Sequence, residues 1–421
     1  MRLDRLHIKN FRCYEDVTFD FQPGFNLVVG VNGSGKTTLL NAVAQSFGEI
    51  FASAGHPMQI SDDDDVRTVI NHHTNGTRFE KTFPLILDCQ GDVFNNLFWA
   101  RTKHRLSDDE FAPLPVLKTK NFDPSTLAEN TELPLIAFYR ADRRWTTSSA
   151  STEQAATFKL SRLDGYKNWS NAATNLQDFE SWLVKKTLEQ LQRAYRSAKS
   201  RTELDDELSL VNSALQAMLP ASRGLYYDVE LASLIVDLGG NTTSKFSNLS
   251  DGQRGMIALF ADIARRMCIL NPHMGKDVLK NTSGVVIIDE LDIHLHPAWQ
   301  RSIVPALRQA FPKVQFIAAS HSPQIIGSLK PQEVILLHNG DPTHPRVTYG
   351  LDSSSVLEEV MGATQREPEI EDLLSELFST LEDNNLEKAK SQLEALKKKA
   401  PDLPEFAGAE ALIRRKEILG K

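Results

Sequence analysis

The sequence predicts an α/β fold organised on a buried, mainly parallel sheet, and two apolar runs carry that prediction. The first is Phe25-Asn26-Leu27-Val28-Val29, which leads into the glycine-rich segment Gly30-Val31-Asn32-Gly33-Ser34-Gly35-Lys36-Thr37 and then, from Thr38 to about Ile50, into apolar positions at helical spacing. The second is Val285-Val286-Ile287-Ile288, four strand-forming residues ended by the carboxylates of Asp289 and Glu290. Short apolar runs without alternation, bounded by turn residues, are the pattern of strands covered on both faces by helices.

Composition narrows the class. Hydrophobic residues at 41% and charged residues at 24% exclude a mostly disordered or collagen-like chain. A length of 421 residues exceeds one ordinary domain, so a large core with attached helical parts is expected. The net charge of -8 argues against blanket affinity for nucleic acid, while a local basic groove stays compatible with it. No apolar run approaches the roughly 20 residues of a membrane helix. Met1-Arg2-Leu3-Asp4 runs straight into strand-like alternation rather than an apolar leader, so a cytoplasmic protein is expected. Cys13, Cys89 and Cys268 match no disulfide framework or zinc spacing and are expected to be buried thiols.

Along the chain, Leu3, Leu6, Ile8 and Phe11, then Val17, Phe19 and Phe21, suggest two N-terminal strands before the run at Phe25. The acidic run Asp62 to Asp65 is expected to be a solvated loop. Strands are expected at Phe83 to Leu87 and Leu133 to Tyr139, separated by a Pro- and Asp-rich irregular stretch from about Leu106 to Glu132. Phe179, Trp182, Leu183, Leu188, Leu191 and Tyr195 share a helix face, and a second helix is expected from about Glu203 to Met218, together forming a helical insert. Central strands are then expected at Tyr226 to Leu238, Val285 to Ile288, Val314 to Ala318 and Val334 to Leu337, followed beyond Leu351 by three amphipathic helices. The expected divisions are 1-150, 151-224 (the insert), 225-350 and a helical tail, 351-421.

Four motifs carry chemistry. Gly30 to Thr37 fits G-x-x-x-x-G-K-[ST] between a strand and a helix, the context in which backbone N–H groups and a helix N-terminus cradle phosphates. Asn32, Gly33, Ser34, Gly35, Lys36, Thr37 and Thr38 are therefore expected to hold ATP, with Lys36 on the β- and γ-phosphates and Thr37 on Mg2+. Asp289, at the carboxyl end of its strand, suits the Mg2+ shell, and Glu290 suits a general base for the attacking water. Leu249-Ser250-Asp251-Gly252-Gln253-Arg254 resembles the signature of ABC ATPases, in which Ser250, Gly252 and Gln253 would cap the γ-phosphate of an opposite subunit; the S-x-x-Q spacing is equally a capping box. Asp251 stands where many such proteins carry glycine. His321, after Phe316-Ile317-Ala318-Ala319-Ser320, matches a histidine that senses the γ-phosphate. Asp292, His294 and His296 are read as a partner-contacting loop rather than a metal site, because i, i+2 histidines do not match the i, i+4 zinc pair. Arg140, Arg143 and Arg144 leave surface solvation and phosphate or partner contact as alternatives. Gln90 is a weak candidate for a further cleft residue.

With Ile8-Lys9-Asn10-Phe11-Arg12, these motifs resemble the RecF/OLD-type ATPases, so the fold class becomes a P-loop NTPase of the ABC-ATPase type with a helical insert and a C-terminal helical tail. The short insert, Tyr349-Gly350-Leu351-Asp352 and the charged tail are most similar to the PtuA-type ATPases of Septu and retron defence systems. The resemblance implies that Arg12 reaches the nucleotide, that two heads sandwich ATP, and that an HNH nuclease of the PtuB kind docks on the tail. The tail departs from OLD-type nucleases in lacking the length and carboxylate-bearing strands of a Toprim domain. The expected function is an ATP-binding and ATP-hydrolysing regulatory subunit of an anti-phage complex. The alternative is a RecF-like clamp that closes on DNA, with Arg193, Arg196 and Arg201 facing the duplex.

Overall fold

In the computed structural model the described residues are 1–48, 50–51, 58, 64–73, 76–94, 96–104, 128–143, 161–172, 176–196, 207–240, 242–362 and 367–419. They fall into two units, Met1–Leu351 and Asp352–Lys421.

In the first unit β1 (Arg2–Phe11) pairs antiparallel with β2 (Tyr14–Asp20). Leu3, Leu6 and Ile8 turn inward and Arg2, Arg5 and His7 outward, the alternation of a sheet with one covered face. After β3 (Phe25–Val29), a helix α1 (Lys36–Phe47) and the hairpin β4 (Thr68–His73) and β5 (Gly76–Lys81), the chain returns as β6 (Leu85–Val93) and β7 (Asn96–Lys103). The resulting sheet has the order β2-β1-β6-β7.

The site is carried by a second sheet. It contains β3, β8 (Leu135–Tyr139), β12 (Gly284–Ile288), β13 (Val314–Ala319), β14 (Val334–His338) and β15 (Asp341–Thr343), in the order β15-β14-β3-β13-β12-β8. All its pairings are parallel except the β14–β15 edge. Every residue of β3, β8, β12 and β13 is buried, which is why these strands are continuous apolar runs. The two sheets are joined through buried Gln315, whose side chain accepts from Leu3 N at 2.8 Å and donates to Leu3 O at 2.7 Å.

Tyr226 to Leu238 does not join the central sheet. It forms a hairpin, β9 (Gly224–Asp228) and β10 (Ser233–Asp237), extended by β11 (Thr243–Lys245) into a separate antiparallel sheet. The reason is geometric: residues 229–232 suffice for a hairpin, whereas a parallel crossover needs a dozen or more residues. The alternation also shows a half-covered sheet, with Tyr226 exposed between buried Leu225 and Tyr227.

Of the segment read as an insert, α2 (Leu176–Arg196) and α3 (Glu207–Met218) are described, together with short 3-10 turns at Arg162–Tyr166 and Trp169–Asn171. These turns are built into the head: Tyr166 and Trp169 are buried and their rings lie 4.9 and 5.9 Å from that of Phe51. Of the stretch from about Leu106 to Glu132 expected to be irregular, residues 106–127 lie outside the described residues, as do Arg201 and the side chains of Arg193 and Arg196. The long helix α4 (Asp251–Leu270), α5 (Val278–Asn281), α6 (Pro297–Ala310) and α7 (Pro323–Ile326) complete the helices of this unit. Cys13 is exposed, contrary to expectation, because it lies in the tight β1–β2 turn, while Cys89 and Cys268 are buried.

The second unit contains α8 (Ser353–Glu359), α9 (Pro368–Glu382), α10 (Leu386–Lys399) and α11 (Glu405–Leu419). The last three pack Leu374, Leu377, Leu381, Ala389, Leu393, Leu396, Phe406, Ala409 and Ile413 into one core, at the i, i+3, i+4 and i+7 spacings of amphipathic helices. Asn385 starts α10, its side-chain oxygen accepting from Lys388 N at 3.3 Å. Leu377 is fully buried. Leu377→Ala should destabilise this unit by about 2 to 5 kcal/mol, read as faster hydrogen exchange across α9, α10 and α11.

Candidate functional site: a phosphate cradle facing an acidic strand end

Three neighbouring strands of the central sheet, β3, β13 and β12, end side by side, and each carries one part of the site at its carboxyl end. In open α/β sheets this edge is where ligands bind. β3 runs into the glycine loop, and Gly35, with φ of 102°, starts α1 without a side-chain cap. The first amides of α1 are thereby left for a ligand, with the positive end of the helix dipole behind them. A Cβ on Gly35 would stand 2.7 Å from the Tyr14 hydroxyl, which donates to Gly35 O at 3.0 Å. Gly30 is equally confined: a Cβ there would meet Ser34 Oγ at 2.5 Å and Leu337 O at 2.9 Å.

Inside the cradle, Lys36 Nζ donates to Gly30 O at 2.9 Å and to Val31 O at 3.0 Å. Burial lowers the Lys36 pKa, against the opposing pull of Asp289, Glu290 and Asp292. Ser34 is buried, and its Oγ has no hydrogen-bond partner among the described residues. An orphaned buried hydroxyl beside a lysine and unclaimed helix amides is what a phosphate group would satisfy. Asn32, Gly33 and Thr37 are exposed at the mouth and Thr38 is half-buried.

β12 delivers Asp289 to the same place. Its backbone N–H donates to Tyr139 O at 2.8 Å, and its Oδ2 accepts from the Thr37 hydroxyl at 2.9 Å. Burial raises the Asp289 pKa, offset in part by Thr37, the Glu290 backbone, Arg143 and Lys36. Because Thr37 gives its proton to Asp289, the lone pairs of Oγ1 stay available to a cation. A hydroxyl and a carboxylate are the hard oxygen donors Mg2+ takes, usually alongside waters and substrate phosphates. The residues present therefore fit both a nucleotide phosphate and Mg2+.

Glu290 is exposed and adopts φ of 48°, a left-handed conformation that costs a non-glycine residue about 1 to 3 kcal/mol. The next amide, Leu291 N, donates to Ala319 O at 2.8 Å and so fastens the turn to β13. His321 follows β13; its backbone N–H donates to Asp292 Oδ1 at 3.3 Å. Burial, then Lys36, lowers the His321 pKa against the acidic residues, which favours the neutral ring at neutral pH.

The signature residues lie elsewhere. Ser250 and Gln253 form the capping box of α4, with Gln253 N donating to Ser250 Oγ at 3.3 Å and Ser250 N to Gln253 Oε1 at 3.1 Å. Gly252 backs onto the loop after β12: a Cβ there would meet His294 O at 2.1 Å. Asp251 is exposed and ion-paired to Arg254. Among the described residues, no hydrogen bond joins Ser250, Gly252 or Gln253 to Lys36, Thr37 or Thr38. His296 caps α6, its Nδ1 accepting from Ala298 N at 3.3 Å, and no group of three or more His, Cys, Asp or Glu among the described residues is arranged to hold a metal.

Three sequence expectations change. Arg12 is tied to Asp65, with Nη2 2.7 Å from Oδ1, and Asp65, expected in a solvated loop, is buried there. Gln90 sits exposed within β6, paired between Arg5 and Phe98. Arg143 donates to the backbone carbonyls of Asp289 and Glu290 rather than waiting for a phosphate. Arg140 donates to Ser170 O at 3.1 Å, and Arg144 lies outside the described residues. Sequence reasoning also missed a buried network. Tyr139 donates its hydroxyl to Asp262 at 2.9 Å, and Asp262 pairs with Arg265 and Arg266 at 2.6 and 2.7 Å. Burial would raise the Asp262 pKa, but Arg266 and Arg265 outweigh it and hold the carboxyl low. Charged residues at i, i+3 and i+4 within apolar α4 were the available signal.

The raised Asp289 carboxyl has a measurable consequence. Ionising it favours the unfolded chain, so its contribution turns unfavourable as pH rises from the ordinary carboxylate range through the raised value. Asp289→Asn, whose amide oxygen can still accept from Thr37, should stabilise the ligand-free protein at neutral pH and lose that advantage toward pH 4. Mg2+-dependent ATP binding should fall in the same variant. Denaturant unfolding across pH, with fluorescent-nucleotide titration, checks both.

Residues 25–327 match the family model described as an AAA domain, putative AbiEii toxin, Type IV TA system. The chain is similar to the retron Ec83 probable ATPase of Escherichia coli, at 26% identity over 88% of this chain and 78% of that protein. It is similar to the retron Vc95 probable ATPase of Vibrio cholerae, at 25% identity over 81% and 74%. It is also similar to the Septu protein PtuA of Bacillus thuringiensis, at 22% identity over 92% and 91%. The likeness to retron and PtuA-type ATPases expected from the motifs is thus borne out. With its glycine loop and acidic strand end side by side on one parallel sheet, this chain belongs to the family described as AAA domain, putative AbiEii toxin, Type IV TA system.

Proposed function

We propose that the chain binds and hydrolyses Mg2+-ATP, that two copies close on ATP, and that this cycle regulates an associated nuclease in anti-phage defence. The observation that carries the reading is the 2.9 Å bond from Thr37 to Asp289, which brings the phosphate cradle against the acidic end of β12. Mg2+ bound there would neutralise charge on the β- and γ-phosphate oxygens. Lys36 and the α1 amides bind the phosphates. Glu290 accepts the proton of the attacking water, and neutral His321 faces the γ-phosphate. The three carboxylates of Asp289, Glu290 and Asp292 act on Lys36, Arg143 and His321 alike, which supports one shared electrostatic site.

The lack of any hydrogen bond between the signature residues and the cradle among the described residues fits completion by a second copy. The exposed N-terminus of α4, with Asp251 balanced by Arg254, would then cap the γ-phosphate of the opposite head. The similarity to retron and Septu ATPases supports the defence role. The nuclease is assigned to the helical unit, where Ala407, Glu410, Ala411, Arg414, Arg415 and Ile418 border a depression and Ile418 is 84% exposed. Among the described residues no helix is long and apolar enough to cross a membrane.

Light scattering with Mg2+-ATP tests the reading. Glu290→Gln should assemble beyond a monomer and turn over ATP roughly 100-fold or more slowly than the native chain. Lys36→Ala should neither bind ATP nor assemble. A monomeric Glu290→Gln variant in saturating Mg2+-ATP would sink the sandwich, and steeply salt-dependent, ATP-requiring DNA affinity would favour the clamp.

A further inference from the structure

Arg143 stands behind the acidic turn, and its hydrogen bonds to described residues go to backbone carbonyls. Its Nη1 donates to Asp289 O and its Nη2 to Glu290 O, the latter at 2.7 Å, while Nη1 also reaches Arg140 O at 3.1 Å. The two carbonyls belong to successive residues and the second is the left-handed Glu290. On either side the turn is fastened by Asp289 N to Tyr139 O and by Leu291 N to Ala319 O. Between those two points the strained peptide is held by Arg143 and by Ile293 N, which donates to Glu290 O at 3.1 Å. A planar, permanently charged fork can satisfy two adjacent carbonyls at once, with charge-assisted bonds stronger than neutral ones. A lysine ammonium cannot reproduce that fork.

We propose that Arg143 is a positioning residue for ATP hydrolysis: its guanidinium fixes the Asp289–Glu290 backbone in the left-handed turn that presents the Glu290 carboxylate to the phosphate cradle. This rests on the reading of Glu290 as the base. The Glu290 carboxylate bears electrostatically on both Lys36 and His321. Arg143 also works by charge, because Asp289, Glu290 and Asp292 all bear on it. Without it, the turn would lose its clamp and the three carboxylates a cation that, like Lys36, bears on all of them. Glu290 would then sample other backbone wells, while Lys36, Thr37 and the α1 amides keep their own supports. ATP binding and turnover should therefore separate.

The test uses Arg143→Met, Arg143→Lys and Arg143→Ala in the full chain. Arg143→Met should keep its ATP Kd within about threefold and lose roughly 10- to 100-fold in kcat, the size of loss expected when a reacting group is misplaced by an ångström. Deuterium uptake should rise in peptides spanning 286–294 and stay unchanged in those spanning 30–47. Arg143→Lys should fall between Met and the native chain. Arg143 lines a cavity of about 280 Å³ with Arg254, Met256, Leu259 and Leu291, so methylguanidinium has a route to the space left in Arg143→Ala and should restore part of its kcat. A kcat within about twofold of native in Arg143→Met, or equal losses in ATP affinity and kcat with no rescue, would overturn the proposal. If the native chain itself does not turn over ATP, the hydrolytic reading fails. The exchange pattern then decides Arg143 alone: unchanged uptake over 286–294 in Arg143→Met overturns the clamp, and a local rise supports it.

Discussion

The Thr37–Asp289 hydrogen bond joins two segments 252 residues apart, and the geometry of the site follows from it. For these groups to meet at 2.9 Å, β3 and β12 must run parallel in one sheet with a single strand between them, and both must end at the same edge. β13 is that strand, which is why His321 emerges beside them. Burial of all five residues of β3 and of β12 provides the hydrophobic part of this arrangement. Parallel pairing sets the level at which each strand ends.

That edge of the sheet is kept away from its own stability optimum. Lys36 and Asp289 are both buried against their charge, and Glu290 holds a strained backbone. Among the described residues the Ser34 hydroxyl has no hydrogen-bond partner. Each of these features is unfavourable in the ligand-free protein, and the buried charges and the hydroxyl are groups that an anionic phosphate with a divalent cation would satisfy. The Asp262 network deeper in the head is hydrogen-bonded throughout instead. Asp262 takes both Arg265 and Arg266, and Arg266 goes on to donate to Gly165 O and Lys167 O at 2.9 Å. Through Tyr139 the same network touches the strand whose end supports Asp289. Tyr139 thus links α4, through Asp262, to the backbone N–H of Asp289.

Two classes of feature separate by the range of the interaction that creates them. Local patterns were legible in the sequence: the apolar runs of β3, β12 and β13, the glycine loop, the acidic strand end, the capping box at Ser250 and the amphipathic spacing of α9 to α11 each depend on a few neighbouring residues. So did the family resemblance, because its motifs are such local patterns in a given order. Strand partnership was less legible. Tyr226 to Leu238 looked like a central strand because burial periodicity over a short run does not name a partner, although the four-residue connection between β9 and β10 already required a hairpin.

By itself, then, the sequence determined the α/β class, the phosphate-binding loop, the order of the motifs and the helical character of the tail, since these arise from propensity, spacing and turn chemistry. Only the tertiary structure decided that Arg12 meets Asp65, that Gly252 is held to glycine by His294, and that Arg143 grips the carbonyls of the acidic turn. In each of these the partner lies far away in the chain. For Gly252 and Arg143 it is a backbone carbonyl, a group every residue carries and no sequence pattern marks.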